Sequence, residues 1–388
     1  MHFEHTPEQE SIRQQVRRLC TGFGDEYWMQ KDQAHEFPEE FYRAVAAGGW
    51  LGIAMPEAYG GAGLGITEAC LVMQEITASG GACAAASSVH MNIFGVHPLV
   101  KHGSPEQLRA NLPGIINGRT KVCFGVTEPD AGLDTTRLTT RAVREGGHYR
   151  VSGRKIWIST AQEAHRILLL ARTTPREQCA RPTDGLTLFF AELDRTAVDI
   201  REIMKAGRHA VDSNELVFDG LKVPVEDRIG EGGRGFHYIL DGLNPERILI
   251  AAEAIGIGRV ALERATRYAK ERVVFGRPIG QNQAIQHPLA RCWVELEAAN
   301  LLTFKAAWLY DQGKSCAAEA NAAKLLGAEA GFAAADRAMQ TLGGMGYAQE
   351  FHVERYWRES KLYRIAPVTP ELILSFIGEK VLGLPKSY

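Results

Sequence analysis

The sequence has no excess of charge of either sign. Its 44 Lys and Arg residues stand against 46 Asp and Glu, leaving a net charge of −2 over 388 residues. So balanced a chain projects no field that would gather nucleic acid or an anionic membrane surface, and no run of basic residues compensates. It also lacks an apolar stretch long enough to cross a bilayer. The first twenty residues, with Glu4, Glu8, Glu10, Arg13, Arg17 and Arg18, contain no apolar segment that reads as a signal peptide. Seven cysteines, at 20, 70, 83, 123, 179, 292 and 316, are odd in number, scattered and never Cys-x-x-Cys. That usage fits a reducing compartment and offers no zinc site. His90, His97 and His102 lack the spacing of metal ligands on one helix face and read as structural. The expectation is a cytoplasmic protein with no metal, no nucleic acid and no membrane insertion.

At 45% hydrophobic and 23% charged, the chain can bury a sizeable core, and its length suggests two or three domains. Thr6-Pro7-Glu8-Gln9 supplies an N-cap, a proline at the first helical position and a glutamine able to close a capping box, ahead of Ile12, Val16 and Leu19. Helical spacing continues to about residue 120, with a glycine loop at 60–65. From Lys121 the period changes to alternation. Short β-prone runs at 122–126, 137–143, 149–151, 155–159, 167–171, 186–190 and 215–218 are separated by Gly-Gly, Ser-Gly and Pro-Thr-Asp-Gly turns. Beyond Pro245 helices return at 251–272, 283–312 and 317–342. Eleven alanines between 317 and 338 permit the close helix approach of a bundle. The fold class is α+β: a helical domain 1–120, a β domain 121–232 and a helical bundle 233–388. Gly230-x-Gly232-x-x-Gly235 matches a dinucleotide fingerprint, but the chain after it is helical for too long, so it reads as a flexible junction.

One stretch resists a purely structural reading. Val126-Thr127-Glu128-Pro129-Asp130-Ala131-Gly132-Leu133-Asp134 is ordinary turn chemistry taken alone. It is followed, however, by Lys155-Ile156-Trp157-Ile158-Ser159, preceded by Pro56-Glu57-Ala58-Tyr59-Gly60-Gly61, and continued by Arg272-Val273-Val274-Phe275-Gly276 with Gln283, and Gln340-Thr341-Leu342-Gly343-Gly344-Met345-Gly346-Tyr347. These five blocks, in order and at spacing, resemble the acyl-CoA dehydrogenase family. The resemblance implies helical, β-barrel-like and four-helix-bundle domains, FAD as cofactor, a homotetramer and an electron-transfer flavoprotein as acceptor.

It also implies residue roles. Phe124, Val126 and Thr127 should face the flavin ring from one side, and Trp157 and Ser159 should cover the other, with Ser159 reaching toward N5. Gly132 and Leu133 fall near the FAD phosphates, Leu133 standing where serine is usual. Arg272, Phe275, Gln283, Gln340, Gly343 and Gly344 should hold the pyrophosphate and adenine of a neighbouring subunit's FAD, with Thr369 and Glu371 also at the cofactor. Residues 87–96 lie where the family lines its acyl pocket, and equally suit core packing.

The chemistry requires a carboxylate to take an α-proton, a flavin to accept a β-hydride, and donors to the thioester oxygen. The family's usual glutamate position reads Ala366-Pro367-Val368-Thr369 here, without a carboxylate. Isovaleryl and long-chain relatives instead place theirs in a stretch like Leu243-Asn244-Pro245-Glu246-Arg247, which nominates Glu246 as base. Leu243, Asn244, Arg247, Ala366 and Pro367 are then expected at the substrate. Asn244 and Pro245 also read as a plain helix start, whose dipole would keep Glu246 ionised before substrate arrives. Pro367 has no N–H to donate to the thioester, so either Ala366 or Val368 donates in a shifted register or the flavin ribityl hydroxyl works with another partner. The expected activity is α,β-dehydrogenation of an acyl-CoA to the trans-2-enoyl thioester. The alternatives are an oxidase or desulfinase relative, or a non-catalytic acyl-CoA-binding member.

Overall fold

The computed structural model describes residues 4–387, so residues 1 and 388, the outer bounds drawn above, lie outside it. The N-terminal part is helical: α1 (Pro7–Cys20), α2 (Asp25–Ala34), α3 (Glu39–Ala47), α4 (Ile66–Ile76), α5 (Ala82–His90), α6 (His97–His102) and α7 (Pro105–Ile116). The capping box at Thr6 and Gln9 forms as read, and α1 buries Ile12, Val16 and Cys20 against the rest of the domain.

The middle region holds β1 (Val122–Gly125), β2 (Arg141–Glu145), β3 (His148–Ser159), β4 (Arg166–Arg172), β5 (Leu186–Glu192), β6 (Val198–Glu202), β7 (Ser213–Pro224) and β8 (Arg228–Ile229). Its order is β6-β7-β3-β2-β4-β5-β8, with β1 parallel to β4. Two leaves meet at a single register, Arg141 opposite Arg172, where β2 and β4 run parallel. One face of β4 and β5 packs Ile167, Leu169 and Phe189 against the other leaf. The opposite face packs Leu168, Leu170, Leu188 and Phe190 on Leu99, Leu112 and Ile115 of the helices. Burial on both faces explains why these two strands read as continuous apolar runs.

Several strand bounds differ from the sequence reading. The runs at 149–151 and 155–159 are one strand, because Ser152 and Gly153 stay paired with β7 and do not turn; the register shift there leaves Gly220 of β7 as the extra residue. A Cβ on Gly153 would sit 2.5 Å from Thr140 Oγ1, and only glycine admits that approach. The run at 137–143 is displaced to β2 because 135–137 forms a 3-10 turn, and the run at 215–218 is the middle of the longer β7. Strands β6 and β8 pass unnoticed in the sequence because each is short and mixed in character.

The C-terminal helices are α8 (Gly235–Glu271), α9 (Gln283–Asp311), α10 (Ala317–Leu342), α11 (Val353–Ile365) and α12 (Pro370–Phe376); the hairpin β9 (Val273–Val274) and β10 (Arg277–Pro278) precedes α9. Helix α8 begins well before the expected residue 251, so Asn244 and Pro245 lie inside it and are not its start. The early turns are held from outside the helix: Gly242 packs against Pro98, and His102 Nε2 lies 2.7 Å from Asp241 Oδ2. This packing makes a helix of a stretch that glycine and proline disguise. The expected flexible junction at 230–235 is also tightly fitted. Gly233 N–H donates to Thr187 Oγ1 at 2.8 Å, and a Cβ on Gly235 would meet Leu188 N at 2.4 Å.

Helix α8 is the spine of the molecule. A Cβ on Gly256 would be 2.6 Å from Gln74 O on α4, one on Gly327 3.0 Å from Ala251 O, and one on Gly331 2.3 Å from Ala254 O. The small residues of α10 thus let two backbones nearly touch. Gly331→Ala should force them apart and cost about 1–3 kcal/mol by overpacking, read as a lower denaturant midpoint; a wild-type midpoint would show that the pair is not rigidly seated.

Candidate functional site

The loop after β1 is fixed by a carboxylate that never reaches solvent. Glu128, 4% exposed, accepts from Thr139 N–H (2.7 Å), Thr139 Oγ1 (2.8 Å), Thr140 N–H (3.0 Å) and Lys155 Nζ (2.9 Å). Burial pushes its pKa up, but the Lys155 charge and these donors outweigh it and hold the carboxyl at about 2. Lys155, fully buried, also donates to Val126 O at 2.9 Å, and Ile156 N–H donates to Thr127 O at 2.9 Å. The Glu and Lys of the two motifs are therefore the clamp that sets Val126 and Thr127 beside Trp157.

Trp157 sits in the second irregularity of β3, between Lys155 and Ile158, at φ 61° and 57% exposed. A bulge that turns a bulky aromatic outward in left-handed backbone is strained, and such outliers concentrate at functional sites. Phe124 on β1 and Val126 just after its end, two residues apart, are both partly exposed. Ser159 Oγ accepts from Arg208 Nη2 at 3.0 Å. Arg208 was not singled out in the sequence. It lies in an irregular loop, and no local pattern signals its reach.

Glu246 projects from α8, three turns after its start, into a narrow cleft of about 10 Å³ lined also by Met91, Phe94, Gly95, Phe124 and Leu243. Segment 87–96 thus serves both expected purposes. Met91, Phe94 and Gly95 face the cleft, whereas Val89 and Ile93 are core and Asn92 donates to Tyr42 Oη and Ile115 O. Burial raises the Glu246 pKa to about 7, with Arg247 opposing, Glu253 adding and Lys324 opposing. This corrects the expectation of an ionised carboxylate at a helix start, since three turns of helix precede Glu246 and no N-terminal dipole end reaches it. Among the described residues no donor is hydrogen-bonded to it. Glu253, two turns on, is fully buried and bonded, with Tyr363 Oη donating at 3.0 Å and His90 Nδ1 at 3.3 Å. His97 and His102 bond elsewhere, to Tyr310 and Asp241.

Beside Glu246, Asn244 Oδ1 accepts from Arg247 Nη1 at 3.1 Å, within the helix. Lys324, 1% exposed on α10 and also missed in the sequence, donates to Val368 O at 2.6 Å and so anchors the 366–369 segment. Burial, reinforced by Arg247, lowers its pKa to about 8. Ala366 N–H is committed to Leu362 O at 2.9 Å. Thr369 Oγ1 accepts from Leu372 N–H at 3.3 Å as the N-cap of α12, and Glu371 is exposed in its first turn.

The remaining candidates lie apart. Arg272, Phe275 and Gln283 flank the end of α8, and Gln340, Gly343 and Gly344 end α10, which returns to the same end of the bundle. Phe275 is wholly exposed at φ 51°, and Gly343 (φ 60°) and Gly344 have open space where a Cβ would be. Gly132 and Leu133 are exposed at the tip of the clamped loop. Between Glu246 and the end of α8 lie 25 helical residues, roughly 37 Å at 1.5 Å each. The two clusters are thus well separated along the axis of α8.

Comparison with known proteins accords with this layout. Residues 6–119, 123–221 and 233–382 match, in turn, the N-terminal, middle and C-terminal domains of acyl-CoA dehydrogenase. The chain belongs to the acyl-CoA dehydrogenase family. It is 35% identical over 394 residues to the acyl-CoA dehydrogenase FadE12 of Mycobacterium tuberculosis, covering 100% of this chain and 99% of that one. Among solved structures it is similar to glutaryl-CoA dehydrogenase in complex with glutaryl-CoA, at TM-score 0.94 and 30% identity over 100% and 98% of the chains. A chain from work on the electron transferring flavoprotein of Acidaminococcus fermentans and flavin-based electron bifurcation matches with TM-score 0.94 and 30% identity over 98% and 100%. The protein is thus an oxidoreductase acting on the CH–CH group of acyl-CoA, with FAD as cofactor. The exposed Trp157, the clamped backbone at 126–127 and the bare glycine backbone at 343–344 are suited to such a group.

Glu128→Gln keeps the shape of the clamp but leaves Lys155 a buried cation without an anion, a loss of about 3–5 kcal/mol. Denaturant unfolding should show it as a lower midpoint at unchanged slope, and an unaltered midpoint would mean that the ion pair does not hold the loop.

Proposed function

We propose that this acyl-CoA dehydrogenase uses Glu246 as its base and passes electrons to an electron-transfer flavoprotein. The observation that carries the proposal is the cleft in which Glu246 and Leu243 meet Phe124 and the turn of Met91 and Phe94, three stretches distant in sequence. When bound, FAD accepts the β-hydride. Glu246 takes the α-proton; Phe124, Val126, Thr127, Trp157 and Ser159 bracket the ring; Leu243, Asn244, Arg247, Ala366 and Pro367 border the acyl thioester. A carboxylate poised near pH 7, with no hydrogen bond to spend its lone pairs on, suits proton abstraction better than Glu253, whose oxygens are taken. Val368 supplies the donor that Pro367 lacks. Its carbonyl is pinned by Lys324, and its N–H has no acceptor among the described residues, whereas that of Ala366 is committed.

The acceptor assignment draws on the likeness to the Acidaminococcus chain. The bounds 1–120, 121–232 and 233–388 are proposed as the three domains, and a homo-oligomer, a tetramer by resemblance, follows from the separation of the two clusters. Arg272, Phe275, Gln283, Gln340, Gly343 and Gly344 of one subunit would then serve the FAD of another, with Gly132, Leu133, Thr369 and Glu371 at its phosphates and ribityl chain.

Glu246→Gln should bind acyl-CoA and perturb the flavin spectrum, yet reduce its flavin at least ~10²-fold more slowly. The sign of the pH dependence follows from the raised pKa. Below about 7 the carboxyl is protonated and cannot accept, so kcat/KM of the wild type should rise with pH through about 7. Wild-type reduction by Glu246→Gln would move the base elsewhere, while oxygen consumption or a desulfinated product would favour an altered-chemistry relative.

Removal of FAD should also weaken the assembly, because a ligand held by two chains stabilises their contact by mass action. Sedimentation of apo and holo protein at matched concentration tests this, and a monomeric holoprotein would refute the shared site.

A further inference from the structure

Arg208 is a buried cation without a counter-ion among the described residues. It lies between β6 and β7, 5% exposed and at φ 60°, a left-handed conformation uncommon for a side chain of this size. Nη1 donates to Ser87 Oγ on α5 at 3.1 Å; Nη2 donates to Ser159 Oγ at the end of β3 at 3.0 Å and to Ser213 Oγ on β7. Nε has no partner. Among the described residues Arg208 enters no ion pair, although a second arginine beside the same loop does: Arg358 Nη2 reaches Asp32 Oδ2 at 2.9 Å. Three hydroxyls satisfy hydrogen bonds but carry no charge, so the cost of burying the guanidinium stands unopposed within the chain.

The hydrogen-bond geometry adds a direction. A guanidinium can only donate, so the lone pair of Ser159 facing Arg208 is occupied, and the Ser159 proton must point away from it. We propose that Arg208 is a positioning residue for the flavin: it orients the Ser159 hydroxyl as a donor toward N5, and its uncompensated charge favours the electron-rich, reduced state. This rests on the reading that Ser159 faces N5. The electron pair and proton come from the acyl-CoA as in the established reaction, so no further reactant is needed. A buried positive charge beside a group that gains electrons stabilises the reduced form without contacting substrate.

The test is potentiometric. FAD-loaded wild type, Arg208→Gln, Arg208→Lys and Ser159→Ala are titrated spectroelectrochemically, with FAD affinity measured by fluorescence. Arg208→Gln should shift the oxidised-to-reduced ratio at fixed poise at least tenfold toward oxidised, about 30 mV for a two-electron couple. Arg208→Lys, which keeps the charge, should recover most of that shift. Ser159→Ala, which removes the oriented donor and leaves the packing nearly unchanged, should move the midpoint in the same direction and serves even if Arg208→Gln does not fold. A wild-type midpoint in either Arg208→Gln or Ser159→Ala with FAD bound overturns the proposal. A wild type that takes up no FAD overturns the placement of the flavin instead.

Discussion

A straight helix cannot bring its ends together, and α8 imposes that constraint on everything else. Its 37 residues run roughly 55 Å. The N-terminal turns dock on the β region, through Gly235 against Leu188. The middle is walled by α4 and α10 through glycine contacts, and the far end emerges into the exposed hairpin that carries Phe275. Rigidity of this kind serves precision, because a base borne on a clamped helix holds its position better than one on a loop. It also sets the two clusters of proposed cofactor residues far apart along one axis, which is the geometric support for the proposed second subunit.

The buried carboxylates divide by what is done with their oxygens. Glu128 has three donors from Thr139 and Thr140 and an ammonium, and is driven to about 2; Glu253 is taken up by Tyr363 and His90. Glu246 has neither, and burial leaves it at about 7. Glu359 is also pushed up to about 7 by burial and has one unpartnered oxygen, yet it accepts from Ala84 N–H and does not line the cleft. A raised pKa alone does not mark a base. It supports the proposal at Glu246 because the group also opens onto a space among apolar side chains.

The parts legible in the sequence were those with local causes. The capping box of α1 follows from side chains within its first turn, and α10 stops at Leu342 where Gly343 takes a positive φ. The loop at 126–134 and the strand at 155–159 announced themselves as motifs, although their Glu and Lys prove to be a clamp. What escaped had distant causes. Pro245 looks like a helix start because proline at the first turn is common; packing by Pro98, Tyr238 and Leu188 overrides that local preference. Arg208 and Lys324 gain their meaning only from contacts 49 and 44 residues away.

Lys324 also explains how a single departure from the family pattern could be absorbed. Proline at 367 removes a carboxylate and an N–H at once, and restoring one without the other would leave the proposed chemistry incomplete. Lys324 acts on both. Its Nζ fixes the carbonyl of Val368, which presents the next available N–H, and its charge is one of two that favour the ionised form of Glu246. Arg247, the second, is held by Asn244 on the same helix. A buried lysine with a carbonyl as its hydrogen-bond partner is costly unless its field is used, and the nearest use is the carboxylate across the cleft. The proposed base on α8 and the cation on α10 are thus two halves of one electrostatic arrangement.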